Sequence, residues 1–247
     1  GIDPDHVRRY AAELGFRQQG IPVTYYYLLS QRAHLATMLA NPFPYRVPGI
    51  IHVENTLQEH SPPDLKTPLR LDTTARILPP AANGAVHCVF ETKASQGGRL
   101  VFTCSSNYLA VRGQRGGNTG ARRAEAQNGP VAATWKLAPS SGRAYASVSG
   151  DWNPIHLWPF TARLMGLRSP IIHGMHTVAK ACAALEGLSQ ARITLISARF
   201  KAPVPLPGEA QLSAEMDAGA YVVTCGGRTA VEGTFATVAV PQPRPAG

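Results

Sequence analysis

Residues 149–156 read Ser-Gly-Asp-Trp-Asn-Pro-Ile-His, and within them an acid, Asp151, stands five positions before an imidazole, His156. Between the two lie an amide, Asn153, and a proline, Pro154. Proline fixes its own φ and pushes the residue before it toward extended geometry, so this stretch reads as a rigid turn. A rigid turn can aim a carboxylate and an imidazole at one point, where together they move a proton and a water. A polar loop closed by an Asx-turn is the plain alternative for Asp-x-Asn-Pro taken alone. The whole octet, with Tyr145 just before it and a glycine-containing helix start after it, favours a site.

The string from Tyr145 to His156 resembles the hydratase motif of MaoC-like proteins, the (R)-specific enoyl-thioester hydratases and 3-hydroxyacyl-thioester dehydratases. Pro170-Ile-Ile-His-Gly-Met-His176 is similar to the start of that family's central helix. Arg199-Phe-Lys-Ala-Pro-Val204, leading to Pro207-Gly208, is similar to its following strand and turn. The resemblance implies a double hotdog: an α+β fold in which each half is a curved, mostly antiparallel sheet wrapped around a central helix. It implies an Asp151/His156 dyad and a backbone N–H at Gly174 that holds the thioester oxygen. A free helix N-terminal amide suits a developing oxyanion, and glycine would let substrate come close to the backbone. The implied reaction is reversible hydration of trans-2-enoyl thioesters to (R)-3-hydroxyacyl thioesters, with no cofactor. Which member of the dyad takes the α-proton stays open.

Further residues are candidates around the motif. Asn153 orients the turn or the carboxylate, and Ser149 with Gly150 shapes the entry to it. Tyr145 either packs in the core or touches substrate, from a strand expected at about 143–148. Arg199 and Lys201 flank Phe200 on a strand, so both face one side. There they meet the phosphates of a coenzyme A or carrier-protein arm, or simply solvent. His173 and His176 with His156 invite a metal reading. H-x-x-H, however, is not the i, i+4 pair that sets two ligands on one helical face, and no metal is expected.

Positioning these residues requires two similar units. The segment 113–130, rich in Gly, Asn and Arg without apolar periodicity, reads as a flexible linker. It separates an N-terminal half, 1–112, from a catalytic half, 131–247. In the second half, Ile172, Met175, Val178, Ala179, Cys182 and Leu185 recur at helical steps over 172–186, with Gly187 as a stop. Strands are expected near 192–201, 209–216, 220–226 and 229–240. The first half repeats the order: a helix over 24–40, then strands near 49–58, 69–78, 85–93 and 99–111. It lacks the Asp-x-Asn-Pro-x-His element, so it reads as a degenerate hotdog that supports the site and lines an acyl pocket. The cluster Tyr25-Tyr26-Tyr27-Leu28-Leu29 is its candidate lining.

The 247 residues, 44% hydrophobic and 16% charged, describe a globular chain. A net charge of +9, spread over both halves, suits an anionic partner such as an acyl-CoA or acyl-carrier-protein thioester. No basic tract interleaved with aromatics appears, which argues against nucleic acid. Cys88, Cys104, Cys182 and Cys225 have neither C-x-x-C nor finger spacing and read as buried thiols of a reducing compartment. With no signal-peptide pattern and no long apolar run, a cytoplasmic protein without membrane insertion is expected, either a monomer or a homodimer. Two other functions compete with the hydratase reading: a non-catalytic acyl-thioester binding module, and a hotdog thioesterase.

Overall fold

The computed structural model describes residues 1–18, 20–40, 43–47, 49–113 and 129–239. Alternating burial along the strands and two helices buried on most faces give the chain its order. In the first half, α1 (Pro4–Leu14) and α2 (Tyr26–Leu39) precede β1 (Ile51–Glu59), β2 (Arg70–Ile77), β3 (Val86–Gln96) and β4 (Arg99–Val111). In the second half, β5 (Val131–Leu137), α3 (Ser141–Ser149), α4 (Pro159–Leu164) and α5 (Gly174–Ser189) precede four more strands. These are β6 (Arg192–Phe200), β7 (Gly208–Glu215), β8 (Ala220–Cys225) and β9 (Arg228–Val238).

All nine strands form one sheet in the order β2-β3-β4-β1-β6-β9-β8-β7-β5, with every neighbouring pair antiparallel. The halves join edge to edge where β1 pairs with β6, from Glu54 opposite Arg199 to Gln58 opposite Leu195. Each of these strands directly follows its half's main helix, so the junction relates like to like. Arg192 of β6 reinforces it by pairing with the Glu59 carboxylate of β1 and donating to the Ile21 carbonyl at 3.0 Å. Glu59 also accepts from Tyr26 of α2. A buried carboxylate is tolerable only when paired and hydrogen-bonded in this way.

Helix α2 packs on β2, β3 and β4, and α5 on β6 and β9. Buried positions on α5 run from Met175 through Val178, Ala179, Cys182 and Leu185, which is the wrapped helix the periodicity predicts. Its ending differs, because the helix passes Gly187 and stops at Gln190, whose φ of 51° supplies the left-handed cap. The core is continuous across both halves, from Tyr10 and Phe102 to Ile196 and Tyr221. Burying one such side chain contributes about 2 kcal/mol.

A second expectation fails. Residues 143–148 are not a strand but the body of α3, and the strand lies earlier, at β5. The helix wins because it docks: α1 and α3 pack on each other, and Gly150 closes α3 in the left-handed region with φ of 75°. A single strand-like run gives way to that tertiary contact. Residues 114–128 of the expected linker lie outside the described residues.

Candidate active site

Helix α3 ends at Gly150, and the chain turns through Asp151-Trp152-Asn153 into a single 3₁₀ turn, Pro154–His156. Local hydrogen bonds fix that turn. The Asp151 N–H donates to Ser149 Oγ at 3.2 Å, and Asn153 N–H donates to Asp151 Oδ1 at 3.2 Å. Asn153 caps the 3₁₀ turn with its own side chain, accepting from Ile155 N–H at 3.4 Å. Asn153 and Ser149 therefore act on the turn itself, the first through its backbone amide on the carboxylate.

His156 is 9% exposed, and its Nδ1 lies 2.8 Å from the Ile171 carbonyl. A carbonyl only accepts, so Nδ1 carries the proton and Nε2 presents a lone pair. Burial lowers the His156 pKa, partly offset by that carbonyl and by the Asp151 charge, so the ring is neutral and able to accept a proton. His173 stacks on it with ring centroids 3.7 Å apart and directs Nε2–H to the Asp151 carbonyl at 2.9 Å. Burial, with His156 beside it, brings the His173 pKa down to about 3. His176, one turn further on, is lowered to about 3 by burial and by Lys180.

A carboxylate oxygen of Asp151 and one ring nitrogen each of His156 and His173 lie within 4.8 Å of one another. One water or hydroxyl oxygen spans such a gap with two ordinary hydrogen bonds of about 2.8 Å. A carboxylate with two imidazoles is also a metal-ligand composition. The two rings are tilted by 31° to each other. His176, which the sequence placed with them, is not in the cluster.

Gly174 is the first residue of α5, behind His173 as its N-cap. The His176 and Thr177 amides bond back to the His173 carbonyl, while those of Gly174 and Met175 take no acceptor among the described residues. These are the free donors that an oxyanion requires. A Cβ here would lie 2.6 Å from Cε1 of Phe200, so the position is kept small by the aromatic ring of β6.

Tyr145 is 2% exposed and packs edge-on against His176 and tilted against His173, with a buried hydroxyl that has no partner among the described residues. It backs the histidines from α3. Arg199 and Lys201 lie apart from this cluster. Phe200 turns toward Gly174, and its neighbours take the opposite face, where Arg199 pairs with Glu54 and Glu232, and Lys201 with Glu232.

The residue that sequence reasoning missed is Gln31 of α2, whose Nε2 donates to Asp151 Oδ2 at 2.9 Å. Nothing in its neighbourhood signals a site, and 120 positions separate the two. The tyrosines nearby are core: Tyr26 stacks on Phe102, and Tyr27 lies 3.4 Å from the Tyr108 hydroxyl. An open, mostly apolar groove of about 410 Å³ lies further along α2, lined by Met38, Leu39, Phe43, Tyr45 and Val47.

The family model described as MaoC like domain matches residues 122–231. The 3-hydroxyacyl-thioester dehydratase X of Mycobacterium tuberculosis is 32% identical over 224 residues, 88% of this chain and 79% of that protein. A crystal structure of HtdX from the same organism superposes with a TM-score of 0.78 at 30% identity, covering 96% of this chain and 97% of that one. A further M. tuberculosis protein described as having a double hotdog fold superposes at 0.53 with 15% identity, covering 94% of this chain and 86% of its own. That likeness concerns the fold alone, and it agrees with the two sheet-and-helix halves described above.

Proposed function

The chain belongs to the MaoC-like dehydratase family and is a hydro-lyase, and from that premise we propose that it interconverts trans-2-enoyl and (R)-3-hydroxyacyl thioesters. What supports the reading is that a carboxylate oxygen of Asp151 and a ring nitrogen of His156 lie within 4.8 Å of each other, a gap one oxygen can span, while burial keeps His156 neutral. In hydration, the bound water loses a proton to one of the pair as its oxygen bonds to C3. The proton taken from the water is then passed to C2 on the same face, so the pair returns to its starting protonation state. Dehydration runs the steps in reverse, with the C3 hydroxyl leaving as water. In both directions the thioester oxygen gains charge, and we assign its stabilisation to the Gly174 amide, which heads α5 without an acceptor among the described residues. Losing one such donor costs roughly 10²–10³-fold in turnover.

The name of the mycobacterial relative supports a 3-hydroxyacyl thioester as substrate, and coenzyme A or an acyl-carrier protein would present it on the same pantetheine arm. We assign the acyl chain to the first half, because Met38 at the groove lies seven residues beyond Gln31 on α2. That is roughly 10 Å of helix. Rates on short and long trans-2-enoyl-CoA test this assignment, and loss of turnover beyond four carbons would refute it. The principal assay is hydration of crotonyl-CoA by the wild-type protein, read by loss of enoyl absorbance. Binding without turnover would leave only a thioester-binding module, and release of free thiol would indicate a thioesterase.

A further inference from the structure

We propose that Gln31, from the half that carries no catalytic motif, is a positioning residue that holds the Asp151 carboxylate for the chemical step. This rests on the functional reading above and adds to it a residue from the other half of the chain. Asp151 Oδ1 is held from within its own turn by the Asn153 amide at 3.2 Å. Gln31 Nε2 holds Oδ2 at 2.9 Å and is the only side-chain donor to that carboxylate among the described residues. With both oxygens engaged from different directions, rotation about the Cβ–Cγ bond is stopped. Each oxygen retains a further lone pair for a reacting proton.

The support beneath Gln31 is rigid. One turn earlier, the Tyr27 hydroxyl lies 3.4 Å from both the Tyr108 hydroxyl and His52 Nδ1. In the next turn, His34 is held at both ring nitrogens, by Tyr108 at 3.2 Å and Thr92 at 3.1 Å. Burial keeps His34 neutral, with its pKa lowered to about 4. Gln31 thus projects from a stretch of α2 pinned on either side, and its reach to Asp151 is set by the fold of the first half. Neighbouring positions on the same helical face carry that order. An amide also suits the task chemically. A lysine or arginine here would form an ion pair with the carboxylate and compete with the proton it must take, whereas glutamine fixes direction without supplying a charge.

Two variants separate this role from simple packing. Gln31→Met keeps most of the volume and removes the donor. Gln31→Glu keeps the shape most closely but sets a second carboxylate against the first. A hydrogen bond to a charged group is of the size that lowers turnover about tenfold to a hundredfold when lost. The expected order of kcat on crotonyl-CoA at neutral pH is wild type, then Gln31→Met, then Gln31→Glu, with KM changed less than about threefold. A packing role predicts instead that Gln31→Glu, the nearest isostere, retains most of the rate. Near-wild-type kcat in both variants overturns the proposal.

A second readout does not depend on the reaction. Urea unfolding of wild type, Gln31→Met, Asp151→Ala and the double variant should show non-additive midpoints, because the second substitution removes a bond already lost. Strict additivity overturns the contact. If the wild-type protein hydrates no enoyl thioester, the functional reading fails, and the unfolding cycle still decides whether Gln31 holds Asp151.

Discussion

Where α3 meets the turn that carries His156, Gly142 makes a very close approach. A Cβ added at Gly142 would lie 1.9 Å from the His156 carbonyl oxygen, and the atom it meets is backbone, which cannot rotate away. Restoring an ordinary contact of about 3.4 Å requires roughly 1.5 Å of displacement. Helix α3 is pinned by α1 on its other side, where His6 Nε2 donates to the Val148 carbonyl at 2.8 Å. The single-turn segment 154–156 is the softer partner, so the displacement falls largely on His156. Gly142→Ala should therefore lower kcat for enoyl-CoA hydration about a hundredfold, the usual cost of moving a reacting group by an ångström. Overpacking costs about 1–3 kcal/mol, which in a chain of this length is a melting-point loss on the order of 5 °C. The assay is initial-rate hydration of crotonyl-CoA beside a thermal melt. A Gly142→Ala protein that melts within a degree of wild type and turns over at more than half its rate would refute the reasoning.

Gly174→Ala should also lower turnover, by tenfold or more, because its methyl displaces the Phe200 ring. Adding Phe200→Leu should recover part of the loss, and no recovery would show that the glycine serves something other than that ring. Stability should fall as pH drops below about 6.5. His173 and His176 are buried and neutral, with pKa values brought from 6.5 to about 3, so the unfolded chain binds protons that the folded one refuses. Their contribution is complete above 6.5 and is lost on the way down to 3, at about 1.4 kcal/mol per pH unit for each. By pH 5.5 the pair should cost about 3 kcal/mol, read as a lower urea midpoint, and a midpoint unchanged between pH 7.5 and 5.5 would contradict it. Arg199→Ala and Lys201→Ala should leave KM for crotonyl-CoA within twofold, because both side chains are occupied with Glu54 and Glu232 on the face away from Gly174. A large rise in KM would place the substrate's phosphates there instead.

The sequence carried the parts of this site that are contiguous. Asp151, His156 and Gly174 lie in two short stretches whose prolines, glycine and capping residues dictate local geometry, and strand alternation placed eight of the strands near their observed ends. What stayed hidden depends on packing. Helix α3 reads as a strand over 143–148 because Tyr145 and Val148 look strand-like until α1 docks on them. Helix α1 did carry a signal that went unread: Asp3 as N-cap, Pro4 at the first position, and Val7, Tyr10 and Leu14 at helical spacing. The role of Gly174 toward Phe200 and the bond from Gln31 to Asp151 join residues far apart in the chain, and no local pattern announces them.

The most direct measurement is hydration of crotonyl-CoA followed by chiral analysis of the 3-hydroxybutyryl product, run on wild type and Asp151→Asn in parallel. The account predicts only the (R) product from wild type, and a rate in Asp151→Asn lower by about 10²–10⁴ with the fold retained. An (S) product, or an Asp151→Asn protein that turns over at close to the wild-type rate, would contradict it.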